Sequence, residues 1–251
     1  MASEPDGGGT WRQPHAAHGN AVLPLACLFV AAIAAFVATS LHLNTGRDVW
    51  IAAGLILALV YAVVAIRMPP HALGFGYANG VTAIRAAMVS YVGATVLFGD
   101  SFGADTRLSW ALVLLVAVAL ALDGVDGFLA RRLAQTSAFG ARFDMEIDAL
   151  LIMILSVAAV LLDKAGWWVL AIGLMRYGFV LAQRFEPRLR ADLAPSFRRR
   201  LVCVIQGAVL CLILAPPVTP RVSGWLAAAS LAALGYSFAV DTRHLLRDRT
   251  G

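Results

Sequence analysis

An all-α, polytopic bundle of membrane helices is the fold class this sequence predicts, and three observations predict it. Hydrophobic residues make up 60% of the 251 and charged residues 14%, with a mean hydropathy of +0.78, the composition of a chain whose main solvent is lipid. The apolar residues are gathered into runs long enough to cross a bilayer. Between the runs, arginines collect on alternate connections.

Residues 1–20 are polar, rich in Gly and Pro, and have no basic stretch before the first apolar run. They are expected to form a disordered cytosolic tail rather than a signal peptide, with His15 and His18 solvated in it. Eight apolar runs follow, at 21–43, 49–67, 80–99, 108–131, 143–163, 166–183, 200–217 and 222–241, each predicted to be a spanning helix. The first two contain no acid or base at membrane depth except His42 near an end. They form an N-terminal transmembrane hairpin, residues 21–68, set off by Met68-Pro69-Pro70 and the glycines Gly74, Gly76 and Gly80. The other six runs make a six-helix core at 75–243, and 244–251 is a cytosolic C-terminal tail.

The connections at 44–48, 99–106, 163–164 and 216–221 are short and are expected on one side of the membrane. The other side carries Arg67, Arg131, Arg132, Arg142, the arginines between Arg184 and Arg200, and Arg243, Arg247 and Arg249. That excess marks the second side as cytosolic, with both termini inside. The same bias explains the net charge of +5, which comes almost wholly from Arg because Lys164 is the only lysine; no nucleic-acid partner is implied. Cys27, Cys203 and Cys211 are odd in number and lie in apolar segments, so they read as small buried hydrophobes rather than disulfide or zinc ligands. Trp50, Trp167, Trp168 and Trp225 fall near predicted membrane boundaries, as an aromatic belt does.

The chemistry concentrates between Asp123 and Asp148. Asp123 and Asp126 are three residues apart, and Asp144 and Asp148 are four apart, so on helices each pair shares a face. Two helices joined by a short turn can therefore present two carboxylate pairs to each other. Carboxylates at membrane depth cost several kcal/mol unless they line a cavity, pair or bind metal. With no lysine near and Arg131 unable to balance four charges, the cluster calls for hard divalent cations such as Mg²⁺. Gly127 and Gly140 weaken a helix, and their use is close approach of a ligand or a second backbone. Arg131, at the polar end of the same helix, suits a phosphate. Glu146 points to a different helix face from Asp144 and Asp148. Asp241, at the end of the last run, is expected to be solvent-exposed.

Asn79, Thr82 and Arg85 recur every three residues at the start of the third run and share a face. Arg176 interrupts an apolar helix. The stretch from Gln183 to Gln206 is expected to lie along the headgroups. Charge bias and anionic-lipid contact account for its arginines; the sharper expectation gives Arg176, Arg198, Arg199 and Arg200 a phosphate to bind.

The stretch resembles the signature of the CDP-alcohol phosphotransferases, D-x2-D-G-x2-A-R-x8-G-x3-D-x3-D. Asp123, Asp126, Gly127, Ala130, Arg131, Gly140, Asp144 and Asp148 match it without departure, a coincidence on the order of 10⁻⁹ per starting position by chance. The family often opens its core with N-x2-T-x2-R, matched by Asn79, Thr82 and Arg85, although Ala78 stands where a Pro is usual. The resemblance implies transfer of a phosphatidyl group from CDP-diacylglycerol to an alcohol acceptor, with release of CMP. It implies two Mg²⁺ ions, or Mn²⁺ in their place, held by Asp123, Asp126, Asp144 and Asp148, with Asp148 also the general base. Gly127, Ala130, Arg131, Gly140, Asn79, Thr82 and Arg85 would hold the CDP donor. Membrane lipids and a second copy of the chain, as a homodimer, are the further expected partners. A soluble CDP-alcohol donor with diacylglycerol as acceptor uses the same signature. A transporter or scaffold with a cation-binding Asp cluster is the non-enzymatic alternative, and the absence of inverted repeats argues against it.

Overall fold

A computed structural model describes residues 22–67, 77–132, 138–186 and 197–247. Over these residues the chain is helical: α1 (Val22–Leu43), α2 (Arg47–Arg67), α3 (Tyr77–Phe98), α4 (Thr106–Arg132), α5 (Ala138–Leu161), α6 (Leu170–Phe185), α7 (Phe197–Leu214) and α8 (Pro220–Arg247), with a 3₁₀ turn at Trp167–Val169 leading into α6. Each predicted run corresponds to one helix. The expected N-terminal tail, the Met68-Pro69-Pro70 turn and residues 187–196 of the arginine-rich stretch lie outside the described residues.

Five helices, α1 to α4 and α8, are long and apolar enough to cross a membrane by themselves. For α5, α6 and α7, length and composition alone do not make that case, each for a visible reason. The first turns of α5 carry Arg142, Asp144, Glu146 and Asp148. Helix α6 has 16 residues, shorter than the ~20 a span requires, and α7 opens on Arg198, Arg199 and Arg200. The result is still a polytopic bundle, with polar residues concentrated in the helices that carry or border the acidic cluster.

Helix α3 is the axis of the bundle. It packs on α1, α2, α4 and α5, and 67% of its span is buried against 11–22% for the spans of α1, α2, α4 and α8. The α2 face against it follows from the sequence: Val49, Ala53, Leu57, Tyr61 and Val64 recur every three or four residues and are all buried, one stripe of a helix. Polar groups fix the register. The Tyr61 hydroxyl donates to the Ala83 carbonyl at 3.1 Å, and the Tyr91 hydroxyl lies 3.3 Å from Ser40 Oγ and 3.4 Å from Thr45 Oγ1. Small residues let the helices close up, as in other lipid-embedded bundles. A Cβ on Gly173 of α6 would lie 2.8 Å from the Met153 Cα of α5, and one on Gly93 of α3 would lie 2.8 Å from Ile154 Cδ1.

All four short turns meet at one end. Arg107 Nη2 lies 3.2 Å from His42 Nε2, joining the α1–α2 and α3–α4 turns. Gly103, with φ +88°, sits so close to Leu162 of the α5–α6 turn that a Cβ would be 2.7 Å from it. The Lys164 ammonium donates to the carbonyls of Ala215 (3.3 Å), Pro216 (3.4 Å) and Val218, satisfying oxygens that the end of α7 leaves without helical partners. Trp50, Trp110, Trp167, Trp168 and Trp225 all lie within the first turns of elements starting at this end, where an interfacial girdle belongs. The ends of α2, α4, α6 and α8 and the starts of α5 and α7, which carry the arginines, lie opposite.

Candidate active site

Toward the arginine-bearing end, three helices bring four charged side chains to one point. Asp123 comes from α4, Asp144 and Asp148 from successive turns of α5, and Arg85 from α3. Carboxylate oxygens of Asp123, Asp144 and Asp148 all lie within 4.8 Å of one another, so the i, i+4 spacing on α5 produces the shared face that the sequence predicts. Arg85 fills the space between them. Its Nη1 is 3.0 Å from Asp123 Oδ1 and also meets Asp144 Oδ1, while Nη2 meets Asp148 Oδ1. Its Nε donates to the Ala119 carbonyl at 3.1 Å, one turn before Asp123 on α4.

Depth is graded. The Arg85 side chain is 1% exposed, whereas those of Asp123, Asp144 and Asp148 are 22–32% exposed. The guanidinium is the floor of the site and the carboxylates are its rim. This corrects the charge argument made from sequence, which set only Arg131 against the carboxylates. A cation 38 residues before Asp123 in the chain is already among them. Among the described side chains, three carboxylates meet one guanidinium there.

The remaining expected site residues divide three ways. Thr82 is buried on α3, one turn before Arg85, and Gly140 lies on α5 one turn before Asp144. Asp126, Gly127, Ala130 and Arg131 lie on α4 and Asn79 on α3, but their side chains fall outside what the structure describes. Two of the arginines expected to meet a phosphate, Arg176 and Arg198, pair with acids other than those of the Arg85 cluster. Arg176 Nη2 is 2.9 Å from Glu146 Oε1, and Nη1 is 3.8 Å from Met145 Sδ; Glu146 does turn away from the face of Asp144 and Asp148. Arg198 donates to the Ser237 carbonyl at 2.7 Å and pairs with Asp241. Asp241 is therefore not a solvent-exposed residue as expected: its side chain is 13% exposed and ties α8 to α7. Arg199 is half-buried and Arg200 exposed in the first turn of α7.

The cysteines also depart from expectation. Cys211 is buried, but Cys27 and Cys203 are exposed on helix surfaces, because an apolar segment in lipid does not fix which of its residues face inward. Cys203 of α7 is close enough to Asp148, Asp123, Asp144 and Arg176 to feel the charge of each. It therefore places α7 beside the acidic rim, a neighbour that no spacing in the sequence marks.

A family model described as CDP-alcohol phosphatidyltransferase matches residues 75–236, more than half of the 251. Comparison with curated proteins and with solved structures returns no match. The matched span begins at α3 and takes in every residue of the acidic signature and the arginine at its centre. The chain belongs to the CDP-alcohol phosphatidyltransferase family.

Proposed function

We propose that this membrane protein moves the phosphatidyl group of CDP-diacylglycerol to an alcohol, releasing CMP into the cytosol, as a step of phospholipid synthesis. Family membership carries the coarser part, phosphatidyl transfer from a CDP-linked donor. The observation that carries the chemistry is the convergence of Asp123, Asp144 and Asp148 from two helices, within 4.8 Å of one another. An oxygen-only donor set of that size suits a hard divalent cation. Asp123, Asp144 and Asp148, with Asp126 as a fourth ligand, would hold Mg²⁺, two ions in this reading, with Mn²⁺ as a substitute. Such ions, when bound, neutralise a diphosphate and stabilise the departing CMP.

The chain's own residues supply the rest. The Asp148 carboxylate takes the proton of the acceptor hydroxyl. The hydroxyl oxygen bonds to the phosphorus that carries diacylglycerol, the bridging P–O bond breaks, and its electron pair leaves with CMP. Asn79, Thr82, Arg85, Gly127, Ala130, Arg131 and Gly140 form the donor pocket in this reading. Arg198 is engaged by Asp241 and the Ser237 carbonyl, which makes Arg176 the better candidate for a phosphate on the acceptor. Its Nε is buried and has no hydrogen-bond partner among the described residues, a cost that a phosphate oxygen would relieve. The tryptophans at the turn end and the arginines at the other support the cytosolic orientation of the site.

The test is CMP release from CDP-diacylglycerol by the protein in nanodiscs with Mg²⁺, across glycerol 3-phosphate, inositol, inositol phosphate, serine and choline. CMP release with one acceptor, lost in Asp148→Asn, is the expected result. Release only from CDP-choline or CDP-ethanolamine with diacylglycerol would reverse donor and acceptor. No CMP from any pair, with no donor binding, would refute the proposal.

A further inference from the structure

Arg85 is nearly as buried as a side chain can be, and it spends its donors on one place. Nε is fixed by the Ala119 carbonyl of α4. The two Nη atoms reach Asp144 and Asp148, one turn apart on α5, and Nη1 also reaches Asp123 of α4. A planar fork anchored at its stem can bridge two carboxylates on successive turns; an ammonium on a flexible stem cannot do so with the same geometry. Like charges at i, i+4 on a helix repel, and three convergent carboxylates at this depth would spread or drive the helices apart without a cation among them. The guanidinium in turn would be an uncompensated buried charge without the carboxylates, a strongly destabilising arrangement. Each half of the cluster requires the other.

We propose that Arg85 is a positioning residue, a built-in counter-cation that holds Asp123, Asp144 and Asp148 together when no metal is bound and competes with the metal for their oxygens. The inference rests on the metal reading given above and adds a residue that this reading assigns only to the donor. Two consequences follow from the charge. Metal affinity is set lower than the carboxylates alone would give, because the entering ion meets a cation a hydrogen bond away. The metal-free protein keeps its acidic helices together, so the site need not be rebuilt at each loading.

The test uses the full chain in nanodiscs. Mn²⁺ binding is followed by electron paramagnetic resonance for wild type, Arg85→Gln and Arg85→Lys, and melting temperatures are taken in chelator and in saturating Mg²⁺. Arg85→Gln is expected to bind Mn²⁺ at least about tenfold more tightly than wild type, since a like charge close to the ion has gone. It is expected to melt well below wild type in chelator and to recover in Mg²⁺, with Arg85→Lys between the two. A side chain needed only for packing would lower both melting temperatures alike and leave Mn²⁺ affinity unchanged, and either result overturns the proposal. If Arg85→Gln gives no folded protein in either condition, Arg85→Lys decides: wild-type Mn²⁺ affinity in that variant overturns it. Wild-type protein that binds no Mn²⁺ removes the metal site itself, and the inference with it.

Discussion

Among the described residues, Arg85 and Arg198 tie helices together through aspartates, and they are chemically unlike. Arg198 joins α7 to α8 through one carboxylate, Asp241, and one backbone carbonyl; its charges balance. Arg85 joins α3, α4 and α5, and among the described residues it meets three carboxylates with one positive charge. A balanced pair holds helices and asks for nothing further. A cluster in which three carboxylates share one guanidinium holds helices and, in the metal reading proposed above, also takes up a cation. The difference separates a lock from a site, and residue type alone cannot draw it.

The largest expected effect lies at the unbalanced cluster. Asp148→Asn is expected to cut CMP release by about 10²–10⁴-fold, the usual contribution of a positioned base, while nucleotide binding stays within a few-fold of wild type; turnover near wild type would take Asp148 out of that role. Next is Gly173→Ala, which pushes a methyl into the Met153 backbone and is expected to cost about 1–3 kcal/mol of stability, read as a lower unfolding midpoint. Because α6 carries Arg176, an accompanying rise in acceptor KM would show that this helix is placed by backbone packing. Asp241→Asn breaks the balanced pair and is expected to cost about 1–2 kcal/mol, between the exposed and buried limits. It should leave Mn²⁺ binding unchanged, and a loss of metal affinity there would erase the distinction between lock and site. The smallest effect is expected from Glu146→Gln, under about 1 kcal/mol for a half-exposed pair; freeing Arg176 in this way should lower KM for a phosphorylated acceptor, and a higher KM would argue that Glu146 itself touches the acceptor.

What could be read from the chain and what could not follows from the reach of each signal. Runs of apolar residues locate helices because burial in lipid acts on every residue of a span, and each of the eight runs overlaps its helix closely. The i, i+4 spacing of Asp144 and Asp148 projects directly onto one helix face, so their convergence was legible. Partners across the bundle were not. Arg85 lies 59 residues from Asp144 and 63 from Asp148, and Asp241 lies 43 from Arg198; nothing periodic links positions so far apart. Buried charge needing compensation was the one available clue. Applied to Arg85 as firmly as to the aspartates, it would have asked which carboxylates stand opposite. The lower apolarity of α5 and α7 has the same origin, since the charged residues in their first turns are needed at the polar end.

The single lysine offers an address as well as a brace. Lys164 holds three carbonyls of the α7–α8 turn, at the end of the bundle away from the carboxylates, and no other side chain in the sequence carries a primary amine. A membrane-impermeant amine reagent added to sealed vesicles therefore has one side-chain target, and the face from which that target reacts identifies the side on which the turns lie. Its reaction rate carries a second message. An ammonium occupied by carbonyls must let go before it can be acylated, so slow labelling that speeds up with substrate would signal loosening at the far end while chemistry proceeds at the near one.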